Sequence, residues 1–232
     1  MASKKNGGAI DIAELRIKID QLSEKIMSGL KTRSRLPLNE GTFSKEFSEG
    51  MTWFMYRLKK DQDLDSEFGR FLYYDQQPLV FEKSQLSKSK VINVENKGLK
   101  PITVDLSKKI ILLYRFALKE LCVAEENTAS YGETVKLDVE NILTLNERIV
   151  PLGEQVAAYK MQTSKEFLKI KTAKEVRGAL VNFAREKEVL AKNVEIAARY
   201  GITDKKFVEK FARDMIDLTL DAEVHFIMHS IK

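Results

Sequence analysis

Residues 137–161, LDVENILTLNERIVPLGEQVAAYKM, decide the fold. Val139, Ile142, Leu145, Ile149 and Val156 recur at helical spacing, so the stretch predicts one long buried helix. Two cations, Arg148 and Lys160, fall inside that apolar pattern rather than opposite it. A buried cation needs an anion. Within the same turn only Glu147 could supply one, so the helix predicts a site where Arg148 and Lys160 hold the carboxylates of a small molecule inside a helical bundle.

Outward from that helix the chain keeps a helical rhythm. Ile12, Leu15, Ile19, Leu22, Ile26 and Leu30 form a stripe over 11–34, closed by Pro37. A second helix is expected over 44–64, then an aromatic, irregular segment broken at Pro78, then an aperiodic excursion over 87–104. Helix resumes over 105–124, and 127–134 is expected to be a loop around Gly132. Thr172 and Glu175 match a capping box that opens a helix, or a closely bent pair, ending at Gly201. Thr203 is expected to cap a last helix over 204–231.

Only four prolines and eleven glycines punctuate 232 residues, and strand-like alternation is scarce. The expected fold class is therefore all-α. One helical domain is expected over 11–232, preceded by a disordered tail over 1–10. The single cysteine, Cys122, rules out an internal disulfide and suits a reducing, cytoplasmic setting. No apolar run approaches the ~20 residues of a membrane span. The net charge of +5 suits an anionic small molecule, and the scattered lysines do not favour nucleic acid. His225 and His229 have helical metal-ligand spacing but lack the glutamate of a zinc-binding helix, so no metal is expected.

Seven polar positions stand out: Arg16, Arg148, Lys160, Asn182, Glu186, Thr219 and Glu223. Asn182 and Glu186, like Thr219 and Glu223, are four apart and so share a helix face. Each alone reads as an ordinary solvated helix residue. In this order, with Arg33-Ser34-Arg35-Leu36-Pro37, Gly69-Arg70-Phe71 and Gly153 to Gln162, they resemble the eukaryotic-type (fungal and plant) all-helical chorismate mutases over nearly the whole chain.

The resemblance implies a multi-helix bundle of the chorismate mutase type, usually a homodimer. It also implies a cofactor-free isomerase of aromatic amino acid biosynthesis that converts chorismate to prephenate. By the same resemblance Arg16 and Arg148 grip the substrate carboxylates, and Lys160 donates to the ether oxygen. Glu186 accepts from the ring hydroxyl, Asn182 and Thr219 orient the ligand, and Glu223 faces the ether oxygen in its protonated form. Arg33 is read as structural. The family's effector region is matched at Arg70 and Gly132. Glu133 and Lys136 stand where the family has serine and threonine, so feedback by tyrosine or tryptophan is in question.

The family separates its arginine and lysine on the long helix by eleven residues, whereas Arg148 and Lys160 are twelve apart. At ~100° per residue the twelfth turns the lysine ~120° away. A bulge or kink between Ile149 and Gly153 is therefore expected. A second function class stays open: a non-catalytic helical protein that binds a ligand or partner on the same scaffold.

Overall fold

The computed structural model describes residues 10–72, 76–79, 86–90 and 104–230. The expected tail over 1–10 lies outside them apart from Ile10. So do Tyr73, Tyr74, Phe81 and most of the expected excursion over 87–104.

Eight α-helices and one small hairpin make up the described chain. They run α1 (Ile12–Arg33), α2 (Gly41–Ser44), β1 (Glu46–Ser48), β2 (Met51–Thr52), α3 (Trp53–Glu67), α4 (Ser107–Leu121), α5 (Tyr131–Thr163), α6 (Ala173–Leu180), α7 (Phe183–Arg199) and α8 (Lys205–Ser230). Short 3-10 turns occupy Arg70–Leu72, Thr128–Ser130 and Lys165–Lys169. The expected all-α class holds. Among the described residues no helix is long and apolar enough to cross a membrane.

α5 is the axis. Its 33 residues span about 50 Å at 1.5 Å per residue. It packs most extensively against α8 and α1, and also against α3 and α4. Every residue from Arg148 to Gln155 is buried, so this part of the helix has no solvent face. The larger apolar core joins Val139, Ile142, Leu145 and Ile149 of α5 to α1, α3, α4 and α8. Two smaller clusters lie further along. One combines Ala157, Ala158, Phe167, Val176, Leu180 and Phe226. The other sets Leu15 and Leu22 of α1 against Leu152.

Local sequence explains most boundaries. Asp11 caps α1 by accepting from the Ala13 N–H at 2.7 Å. Thr172 and Glu175 form the expected capping box. Gly201 takes φ +74°, the left-handed conformation that stops α7 without a Cβ penalty. α6 and α7 are a broken pair, with the chain extended at Val181 and Asn182.

Four expectations need correction. The helix expected over 44–64 starts only at Trp53. Glu49 and Gly50, both at positive φ, make a two-residue hairpin turn between β1 and β2, and Thr52 then caps α3. Gly132 lies in the first turn of α5 rather than in a loop. The last helix is capped by Asp204, whose carboxylate accepts from the Phe207 N–H at 3.1 Å, and not by Thr203. Of the bulge or kink expected between Ile149 and Gly153, the bulge is absent. α5 stays α-helical through Pro151, and the disturbance there is the N–H that proline lacks.

Arg33 sits wholly buried at the end of α1, as the structural reading of it requires. Its Nε donates to Asp138 of α5 at 2.7 Å, while its Nη atoms donate to the carbonyls of Pro37 and Leu38. The Tyr114 hydroxyl donates to the same Asp138 oxygen at 2.7 Å. One guanidinium thus ties α1 to α5 and folds the chain that leaves α1. Asp138→Ala would strand that charge, and losing one partner of a buried pair costs about 3–5 kcal/mol. Equilibrium urea denaturation should show a loss of that size, with much of it recovered in the double variant Arg33→Met, Asp138→Leu.

Candidate active site

Between the two smaller clusters lies a cavity of about 540 Å³, inside the usual range for small-molecule sites. Apolar walls come from Ile12 and Ile19 of α1, Leu152 and Val156 of α5, and Leu180 and Leu220 of α6 and α8. All seven polar positions singled out in the sequence line it: Arg16 on α1, Arg148 and Lys160 on α5, Asn182 and Glu186 at the start of α7, Thr219 and Glu223 on α8.

The burial of the seven is uneven. Arg148, Thr219 and Glu223 are buried and form the floor. Arg16 and Asn182 are exposed and stand at the mouth with the half-buried Glu186. Gly153 brings the two floor helices together. A Cβ there would sit 3.1 Å from the Thr219 carbonyl oxygen and 3.2 Å from the Ala222 Cβ.

Arg148 faces the cavity without a carboxylate in salt-bridge contact. Its Nη1 donates to Thr219 Oγ1 at 3.5 Å, and its buried Nε has no hydrogen-bond partner among the described residues. Glu147, the one candidate anion in the sequence, turns away to Lys18 at 3.5 Å. Burial pulls the Arg148 pKa down to about 10, against the opposing pull of Glu223 and Asp20, so the group stays charged at neutral pH. A charged guanidinium with unmet donors beside an open cavity is suited to receiving an anion.

Lys160 reaches the same place despite its twelve-residue offset. Its Nζ lies 2.7 Å from Glu223 Oε2. The four-carbon stem spans the angular error that a bulge was expected to correct. Thr219 returns its own proton to the Met215 carbonyl at 2.9 Å, which leaves its lone pairs for Arg148. Asn182 is not on a helix face as the spacing suggested. It is the N-cap of α7, with its side-chain oxygen accepting from the Arg185 N–H at 3.0 Å. Its amide NH2 is left to donate to a ligand.

Four further polar lining residues escaped sequence reading: Tyr159, Ser164, Glu166 and Arg185. Arg185 lies in the first turn of α7, so its place at the cavity follows from the break before that helix. The four residues matched to an effector region do not line the cavity. Arg70 is exposed and donates to Asp65 at 2.8 Å and Gln76 at 3.0 Å. Gly132, Glu133 and Lys136 are exposed in the first turns of α5, where the buried polar side chain is instead Thr134, bonded to Asn39 at 2.8 Å. His225 and His229 stack with ring centroids 3.9 Å apart, and among the described residues no group of three or more potential ligands could hold a metal.

No family model matches the sequence, and no curated protein matches it in a sequence search. Solved structures do match the fold. The Aro7p chorismate mutase of Candida albicans, in complex with L-tryptophan, superposes with a TM-score of 0.85 at 18% identity, over 95% of this chain and 92% of that one. The chloroplast chorismate mutase of Zea mays gives 0.82 at 20%, over 96% and 97%. AtCM1 with tyrosine in its allosteric site gives 0.81 at 19%, over 100% and 99%. This chain has the all-helical chorismate mutase fold. Within that fold its cavity is walled by α1, α5, α6, α7 and α8.

Glu223 carries a measurable consequence. Burial lifts its pKa above the ordinary carboxyl value of 4.5, and the lowering by Lys160 and Arg148 does not cancel the lift. The folded state therefore holds this proton to higher pH than the unfolded chain. The associated stability is present below the unfolded pKa and lost as pH climbs through the folded one. From pH 4.5 upward, chemical denaturation should show the wild type losing stability relative to Glu223→Gln, with a gap that levels off once the folded-state carboxyl has ionised.

Proposed function

We propose that the protein is a chorismate mutase, converting the dianion chorismate to prephenate by an intramolecular rearrangement in this cavity. The observation that carries the reading is a buried, charged Arg148 that faces an open cavity without a carboxylate bound to it, ringed by six more polar groups of matching chemistry. The fold shared with chorismate mutases supports it.

One C–O bond breaks as one C–C bond forms, so the reaction requires no nucleophile, metal or cofactor. Catalysis reduces to holding the folded conformer and stabilising charge that grows on the ether oxygen. In this proposal Arg148 at the floor and Arg16 at the mouth each take a carboxylate, which a planar guanidinium meets bidentately. Asn182 donates an amide N–H, Thr219 orients the ligand with Arg148, and Glu186 accepts from the ring hydroxyl.

Lys160 and Glu223 act as a pair. At rest Lys160 is held by Glu223 at 2.7 Å. When a dianion enters, the ammonium turns to the ether oxygen and a carboxylate. Glu223 then loses its cation beside new negative charge and takes up a proton. A neutral acid can donate to the ether oxygen, whereas an ionised one would repel the charge growing there. By analogy with the fold's known enzymes the active form is a homodimer serving aromatic amino acid biosynthesis.

Loss of chorismate absorbance with purified protein tests the reading directly, and a protein that only bound the ligand would leave the absorbance unchanged. Arg148→Ala should lower kcat about 10²–10³-fold, the usual effect of removing a positioned donor. Its melting curve should stay close to that of the wild type.

The pH profile tests the Glu223 role. Wild-type kcat should fall as pH rises through the raised Glu223 pKa, because the donating form is lost. Glu223→Gln should show no such fall over the same range, and a profile shaped like the wild type's would remove Glu223 from the mechanism.

A further inference from the structure

The chain between α5 and α6 forms one wall of the cavity, through Ser164, Glu166 and Phe167. Lys165 sits between the first two of these, Lys169 closes the same 3-10 turn, Lys171 follows, and Lys174 lies in the first turn of α6. All four lysines are exposed and none has an ion-pair partner among the described residues. Two glutamates share the stretch, which leaves an excess of two positive charges. Glu175 is committed to the backbone, accepting from the N–H groups of Lys171 and Thr172 in the capping box. The unpaired Arg16 adds a positive charge across the mouth.

We propose that Lys165, Lys169, Lys171 and Lys174 form an electrostatic funnel that draws a dianionic substrate into the cavity. The funnel rests on the function proposed above. Like charges along one edge of a concave, apolar-walled site focus the field at its opening and raise the local concentration of an anion, by ten- to a thousandfold in strong cases. The lysines stay in water, touch no reacting atom, and act on capture alone. Their field reaches about 8 Å at physiological ionic strength and about 3 Å at 1 M salt. Capture therefore weakens with added salt, while the chemical step does not.

The test compares two triple variants of the full chain with the same change in net charge. One reverses Lys169→Glu, Lys171→Glu and Lys174→Glu. The other reverses Lys88→Glu, Lys108→Glu and Lys119→Glu, exposed residues on segments that do not line the cavity. With chorismate at low ionic strength, the first variant should lose about tenfold in kcat/KM with kcat unchanged, and the loss should vanish near 1 M salt. The second should match the wild type. Equal losses in both, a fall in kcat with KM unchanged, or a loss that salt does not erase would each overturn the funnel. Calorimetric binding of a bicyclic dicarboxylate analogue of the transition state separates the two proposals. A wild type without mutase activity whose dicarboxylate affinity still depends on these lysines and on salt keeps the funnel and rejects the enzyme. An active wild type indifferent to the reversal keeps the enzyme and rejects the funnel. An inactive wild type that binds no dicarboxylate rejects both.

Discussion

Over Arg148 to Gln155 α5 has no solvent face on which to leave a polar group, and that constraint governs the middle of the bundle. Each polar residue in its middle must be answered from another element. Asp138 is answered by Arg33 and Tyr114, Asn146 by the Gln77 carbonyl, and Glu154 by the Gln77 amide. Arg148 receives a single long contact from Thr219. The protein builds its interior by answering α5 from neighbouring elements, and at Arg148 it leaves a buried cation with unmet donors beside the cavity. Stability and the proposed ligand binding therefore draw on the same principle at two positions about three turns apart.

The two sites differ in what completes them. Around Arg33 the donors find carbonyls at the end of α1 and a carboxylate on α5, so the charge is closed within the fold. Around Arg148 the nearest carboxylate, Glu223, is taken by Lys160. The cavity thus contains one internal ion pair and, at its floor, one buried guanidinium without a carboxylate. In the proposed function a dicarboxylate would engage the guanidinium and compete with Glu223 for the ammonium. In the proposed function binding and proton uptake would be coupled, because the carboxyl that loses its partner is itself buried.

Much of this was legible in the sequence, and the rest was obscured for physical reasons. The stripes of α1, α5 and α8 were plain because burial imposes a period of 3.6 on long helices. The seven cavity residues were visible as an ordered set, although Asn182 proved to be a cap rather than a helix-face residue. The hairpin was hidden because Phe47, Met51 and Phe54 fit a helical stripe, and only the Glu49-Gly50 turn distinguishes the two readings. The offset of Lys160 looked like a backbone problem but was solved by its side chain. Spacing fixes where a Cα points, and a long flexible stem need not follow. Arg185 was missed because its place at the cavity depends on where α6 breaks from α7, a tertiary outcome with weak local signal.

Gly153 gives the floor of the cavity its width. With only a hydrogen in place of a side chain, α5 and α8 approach until the glycine meets the backbone of Thr219. That approach sets how far the guanidinium on one helix stands from the acid on the other. A methyl at this position would act as a shim, prising the pair apart by a fraction of an ångström without altering any group that touches a ligand. The width of the chamber is thus adjustable from behind the wall, at a position where drift or design could change it while every polar group lining the chamber stays unchanged.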